Sequence, residues 1–324
     1  MDKSIIKIQK VIKKYLKKSN KLEFNYLNNL IKFTDINYFE TTNLEKKNND
    51  IINKKREIII TSIINQKTPN LYYRRSLRWN NLKKEIDNFI KKIINKYSIK
   101  KINKINCIPK AGRGNNHDFE LNINEYKLKL EWKFNAKIIK DTPQFVSPMK
   151  PSKYLSNSYE EYYYDNYLIK LKDKFNLDIP DRKDYLKTIH GSNPNCVKEI
   201  QTKYYNGCKS SSKFKNNIDD IEFYNYMIKE SKKSISKFIE TTELNVEKLN
   251  EYLLESQNMK HYMLYKNKNI YLEMANTDDY IITSYIKEPN NSRYVAKTKS
   301  GNTIKILLRW KNGNGVAYPA FQIS

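Results

Sequence analysis

The stretch from His117 to Phe134, HDFELNINEYKLKLEWKF, holds the side chains whose types and spacing best support chemistry. Read in steps of two, Phe119, Leu121 and Ile123 share one face of a strand, with Asp118, Glu120 and Asn122 on the other. In the next run Tyr126, Leu128, Leu130, Trp132 and Phe134 alternate with Lys127, Lys129, Glu131 and Lys133. A two-residue turn at Asn124-Glu125 closes the runs into a hairpin with Ile123 facing Tyr126, Leu121 facing Leu128 and Phe119 facing Leu130. The same register sets Asn122 against Lys127, Glu120 against Lys129 and Asp118 against Glu131. Two carboxylates directly opposite have Cβ atoms about 4.5–5.5 Å apart and repel. A hard divalent cation between them, Mg²⁺ or Mn²⁺, would remove the repulsion. Lys133 shares the face of Glu131, within reach of a phosphate or a metal-bound water.

Around this hairpin the sequence supplies a scaffold. Residues 76–97 read as a strong helix, because Trp79, Leu82, Ile86, Phe89, Ile90, Ile93 and Ile94 form one wide apolar stripe. Residues 102–108 read as a strand ending at Pro109, and KAGRGNN (110–116) as a loop whose Gly112 and Gly114 permit close backbone approach.

Asp118, followed after twelve residues by Glu131-Trp132-Lys133, resembles the PD-(D/E)XK nuclease superfamily, with His117 where that family often has Pro. The resemblance covers about sixty residues, 76–135. It implies a mixed α+β, restriction-endonuclease-like core of helix, three strands, helix and strand, with the acid opening the second strand and the ExK in the third. It implies that Asp118 and Glu131 ligate the metal with the Trp132 carbonyl, and that Lys133 orients the attacking water. The activity implied is metal-dependent hydrolysis of phosphodiesters in DNA. The family often adds an acid from the first helix. Glu85, bordering the apolar stripe, is the candidate, its alternative being a solvated partner of nearby lysines. Glu120 is either a supporting acid or the partner of Lys129. Arg113 is either a phosphate contact or a plain surface side chain.

The charge agrees with a polyanionic partner. The 324 residues carry 61 Lys+Arg against 35 Asp+Glu, a formal net of +26. Lys, Asn, Ile and Tyr dominate, all with A/T-rich codons, so part of the lysine count reflects drift. Drift explains the Arg74, Arg75 and Arg78 cluster less well, and these three are the other expected nucleic-acid contacts. Mean hydropathy of -0.81 and the lack of a long apolar run exclude a membrane span. The 26 Tyr and 12 Phe exclude wholesale disorder. Three cysteines without a CxxC pair, and no secretory signal in residues 1–19, place the expected location inside the cell, in cytoplasm or nucleus.

Four linear regions follow from composition. Residues 1–72 form a basic, helical region, 73–150 the catalytic core, 151–256 a Tyr-rich, mainly helical region and 257–324 a β-rich region. The last either grips nucleic acid or extends the core sheet. Ile8-Gln9 with Lys13 and Lys18 resembles a calmodulin-binding motif at 8–18, but Lys stands where Arg is usual and Lys14 where Gly is common, which weighs against that partner. His190, Cys196 and Cys208 match no standard zinc spacing. With one site per chain, the enzyme would nick as a monomer or cut both strands as a homodimer. The rival reading is a non-catalytic basic nucleic-acid-binding protein in which 118–133 is an ordinary salt-bridged hairpin, and a third is a nuclease for RNA or branched DNA.

Overall fold

A computed structural model of the chain describes residues 22–40, 46–110, 115–142, 146–191, 198–311, 315 and 317–324. The architecture is mixed α and β, with three sheets of two, five and four strands. Among the described residues no helix is long and apolar enough to cross a membrane. The basic N-terminal stretch with its calmodulin-like motif, and the loop with Gly112, Arg113 and Gly114, lie outside the described residues.

The chain forms two compact units, and the division is not linear. The first comprises the chain up to Thr142 together with Met259–Ala275; the second comprises Pro143–Asn258 and Asn276–Ser324. The two strands after residue 259, grouped by sequence with the C-terminal β-rich region, extend the sheet of the first unit.

The first unit starts with a hairpin, β1 (Glu23–Tyr26) and β2 (Asn29–Lys32). Its turn residues Leu27 and Asn28 both have positive φ, 48° and 58°, the conformation of a type I′ turn that matches strand twist. Among the described residues this corrects the expectation of a helical region over 1–72. Helix α1 (Lys46–Ile64) and helix α2 (Asn70–Arg75) follow, then α3 (Leu77–Lys96). Ser76 Oγ accepts from the Trp79 amide to start α3, whose stripe of Trp79, Leu82, Ile86, Phe89, Ile90 and Ile93 is buried as the periodicity requires.

Next come β3 (Ile105–Pro109), β4 (Phe119–Ile123) and β5 (Tyr126–Phe134), an antiparallel meander. The β4–β5 register is Phe119↔Leu130, Leu121↔Leu128, Ile123↔Tyr126. Asn124 takes φ 53° at the turn, a left-handed conformation that asparagine tolerates better than most residues. Strand β6 (Lys260–Lys266) lies parallel to β5, and β7 (Asn269–Met274) closes the sheet in the order β3-β4-β5-β6-β7. One apolar cluster joins the sheet residues Phe119, Leu121, Leu128, Leu130, Trp132 and Met263 to Ile59, Ile60 and Ile63 of α1 and to the α3 stripe. The polar side chains of β4 and β5 occupy the opposite positions of each strand.

The second unit is a helical array with its own antiparallel sheet. The helices are α4 (Tyr159–Tyr163), α5 (Ile169–Phe175), α6 (Arg182–Thr188), α7 (Lys198–Gly207), α8 (Ile218–Thr241) and α9 (Val246–Gln257), with a π turn between α4 and α5. The sheet comprises β8 (Ile282–Glu288), β9 (Arg293–Thr298), β10 (Thr303–Trp310) and β11 (Pro319–Ile323), in the order β11-β10-β9-β8. Pro319 opens the edge strand β11, where its missing N–H costs least. Many tyrosines are core: Tyr159 is fully buried, its hydroxyl 2.9 Å from Ser234 Oγ and its ring edge-on to Phe238. Gly207 ends α7 where a Cβ would lie 1.9 Å from the Asp220 carbonyl oxygen, so α7 and α8 meet at a distance only glycine allows.

Candidate active site

The β4–β5 ladder delivers Asp118 and Glu131 to adjacent strand positions. Regular pairing stops at Phe119↔Leu130, beyond which the Asp118 amide donates to the Leu130 carbonyl at 2.9 Å. Asp118 therefore lies just beyond the ladder, bonded to Leu130 rather than paired with Glu131 as the register predicts. Its Oδ2 accepts from the Trp132 amide at 2.9 Å. The structure thus presents the amide of Trp132 to Asp118, where the resemblance implied a role for its carbonyl. The Trp132 ring is buried against Phe39 and Tyr265.

Glu131 is nearly enclosed, and both of its oxygens face lysines. Lys133 Nζ is 2.7 Å from Oε1 and Lys260 Nζ is 3.7 Å from Oε2. Lys260 opens β6 in register with Lys129, so it stands on the same sheet face as Glu131 and Lys133. Burial and the Glu131 charge push the Asp118 carboxyl up to about 6, against the pull of Lys133 and the Trp132 amide. For Lys133, burial opposes the charged form, but Glu131, Asp118 and Glu57 outweigh it and the ammonium is held above its ordinary value. Lys260 is shifted the other way, chiefly by burial and also by Lys133, although Glu131 and Asp118 favour its charge.

A third acid arrives from α1. Burial first, then the charges of Asp118 and Glu131, push the Glu57 carboxyl up to about 8. Helix α1 is pinned on both sides of this residue. The Asn65 side chain donates to the Cys107 carbonyl of β3 at 2.8 Å and accepts from its amide at 2.7 Å. Arg56, fully buried, donates twice to the Tyr38 carbonyl and stacks its guanidinium 3.4 Å above the Phe134 ring. Glu57 is the only acid between Asp50 and Glu85 and stands three before Ile60 and seven before Ile64, both buried. A lone carboxylate on a buried stripe was the signal available in the sequence.

Glu85 is elsewhere. Its Oε2 accepts from the Ile270 amide of β7 at 3.2 Å, at the far side of the sheet from β4. Helix α3 thus uses its acid to satisfy a strand amide, and the acid beside the aspartate comes from the preceding long helix. Glu120 pairs with Lys110 at 3.7 Å and accepts from Asn122 at 3.2 Å, rather than bonding Lys129 across the ladder. The imidazole Nε2 of His117 is buried without a hydrogen-bond partner. Burial and the charges of Lys129 and Lys260 lower its pKa.

Of the expected nucleic-acid contacts, Arg74 is exposed at the end of α2, Arg75 is half-buried, and Arg78 pairs with Glu40 at 2.5 Å. Arg113 lies outside the described residues, as does Cys196. His190 Nε2 bonds Glu160 Oε1 at 2.8 Å and Cys208 lies against Ser210, so neither is arranged as a zinc ligand.

The donor set near Glu131 consists of hard carboxylate oxygens whose mutual repulsion a divalent cation would relieve. Among the described residues, no group of three or more His, Cys, Asp or Glu side chains is arranged to hold a metal. Mg²⁺ would need only one or two such carboxylates, since it keeps several waters and shares substrate phosphates. Family models, curated proteins and solved structures yield no match to this chain.

Proposed function

We propose that this protein hydrolyses phosphodiester bonds in DNA with a divalent metal ion, Mg²⁺ or Mn²⁺, held by Asp118 and Glu131. The observation that carries the reading is the convergence of Asp118, Glu131 and Lys133 from neighbouring strands, with Glu57 coupled to them from α1. The order of elements supports a core like that of the PD-(D/E)XK nucleases. A helix precedes three antiparallel strands, the acid lies at the start of the second and the ExK late in the third, and a further strand runs parallel to the third.

In this reading Asp118 is oriented by the Trp132 amide, and Glu131 is held between two ammonium groups. A bound cation would supply a water of lowered pKa and would neutralise charge on the phosphorus. Lys133 leaves Glu131 Oε1 to donate to that water or to a phosphate oxygen. Glu57 takes or returns a proton, since its raised pKa lies near working pH. Basic residues of the first unit hold the DNA backbone by contacts that weaken with salt.

The rival reading, a non-catalytic basic nucleic-acid binder, is favoured by one observation: Glu131 is already paired with Lys133 and Lys260. Supercoiled plasmid incubated with and without Mg²⁺, using native protein, Lys133→Ala and Asp118→Ala, separates the two. Cutting that requires metal and both side chains supports the nuclease. Binding without cutting in every divalent metal supports the binder. A panel of RNA and branched DNA tests the substrate class, and sequenced product ends separate nicking by a monomer from paired cuts by a homodimer.

A further inference from the structure

Lys260 is 1% exposed, a burial that lysines rarely reach. Among the described residues its ion pair is with Glu131 Oε2 at 3.7 Å, near the outer limit of direct pairing. Lys133, by contrast, sits 2.7 Å from the other oxygen on the strand that carries Glu131. One carboxylate therefore faces two ammonium groups, the second delivered by a different strand through the Lys129↔Lys260 register. Glu131 alone needs a single counter-charge, and a loose buried pair does little to offset the desolvation of a second one. The groups facing Lys260 are Glu131, Asp118 and Lys133, with the His117 ring close enough to sense its charge. Asp118 and Glu131 balance Lys133 and Lys260 in formal charge, so what Lys260 lacks is a close partner rather than a counter-charge for the cluster.

We propose that Lys260 is a functional residue of this site, a fixed positive charge that weakens its hold on a bare divalent cation and favours a cation arriving with the substrate's phosphate. The inference rests on the metal-dependent reading above. Its physical content is Coulombic. A like charge beside a metal ligand lowers cation affinity in a poorly solvated site, and the negative charge of a substrate phosphate offsets it through space.

The test is calorimetric titration of Mn²⁺ into the metal-free full chain, paired with plasmid cleavage. Lys260→Met keeps the length and apolar stem, and replacing a buried charge by an apolar group of similar volume is commonly tolerated. Mn²⁺ affinity without DNA should rise about tenfold. At the same time kcat/KM for cleavage should fall about ten- to a hundredfold. Lys260→Arg, which keeps the charge, should bind Mn²⁺ within about twofold of native, and Lys237→Met, an exposed charge on α8 of the second unit, should change neither reading. If circular dichroism shows Lys260→Met unfolded, Lys260→Gln carries the same expectations. A purely structural role would lower metal binding and cleavage together, so Mn²⁺ affinity unchanged or weakened in the folded variant overturns the inference. If native protein neither takes up Mn²⁺ nor cuts, the nuclease reading falls and takes this with it. If native protein does both and the Met variant binds no tighter, this inference alone falls.

Discussion

The two units are nearly equal in length, 159 and 165 residues, yet they divide the charge unequally. The first holds 36 basic and 15 acidic residues, a net of +21; the second holds 25 and 20, a net of +5. Codon drift toward lysine acts on both alike, so it accounts for a background and not for this difference. Their buried ionisable groups differ too. In the second unit the Glu160 carboxylate meets one histidine at 2.8 Å, with its second oxygen and the second ring nitrogen buried without a hydrogen-bond partner. In the first, burial and then repulsion among Glu57, Asp118 and Glu131 raise two of the three acids, against the pull of the neighbouring lysines. Positive charge and raised carboxyl groups coincide in one unit.

The largest expected effect concerns the cluster itself. Asp118→Asn and Lys133→Met should each lower metal-dependent plasmid cleavage by about a hundred- to ten-thousandfold. Glu160→Gln in the second unit should leave the rate within about threefold of native if chemistry belongs to the first unit alone. Equal losses from both units would break the contrast.

Next comes a pH effect on stability. The folded Glu57 carboxyl is raised to about 8 from its ordinary 4.5, so the unfolded chain releases its proton first as pH rises. Its stabilising contribution is complete below about 4.5 and is lost between there and about 8. Glu57→Gln should therefore melt higher than native at pH 8 in the absence of metal, by the equivalent of a few kcal/mol. The two should coincide near pH 4. A native protein equally stable across that window would show that the acids of the first unit are not strained.

Salt dependence sharpens the charge comparison. Each lost phosphate contact flattens the plot of log affinity against log salt by about 0.9. Arg74→Ala with Arg75→Ala should reduce that slope for duplex DNA, whereas Lys232→Ala with Lys233→Ala on α8 of the second unit should change it less. The smallest effect falls on Glu85. Glu85→Ala removes a hydrogen bond to the Ile270 amide and should cost about 1 kcal/mol in urea unfolding. Cleavage should remain within a few-fold of native; a collapse of activity would return Glu85 to the site.

The contrast between Glu57 and Glu85 shows where sequence reasoning stopped. Strict alternation in 119–134 defined the hairpin register, because a one-residue slip would have mixed its faces. The apolar stripe of α3 was equally legible. Both acids lie near such stripes, and the strength of the α3 pattern drew attention to Glu85. Which helix lies beside β4 depends on long-range packing, here the Asn65 clamp on Cys107 and the Arg56 stack on Phe134. No local pattern encodes either contact. Lys260 was hidden for the same reason, since its parallel partner Lys129 is more than a hundred residues away. The β1–β2 hairpin escaped because Leu27, a poor candidate for positive φ, occupies its turn.

That parallel pairing has a consequence for synthesis. When residue 142 leaves the ribosome, β5 has β4 on one side and an unsatisfied row of amides and carbonyls on the other. The strand that fills it emerges only after the whole of Pro143–Asn258 has been made. The nascent first half must therefore keep an adhesive edge from neighbouring chains until its own late strand arrives, and a truncated transcript ending before Lys260 yields a protein prone to aggregate.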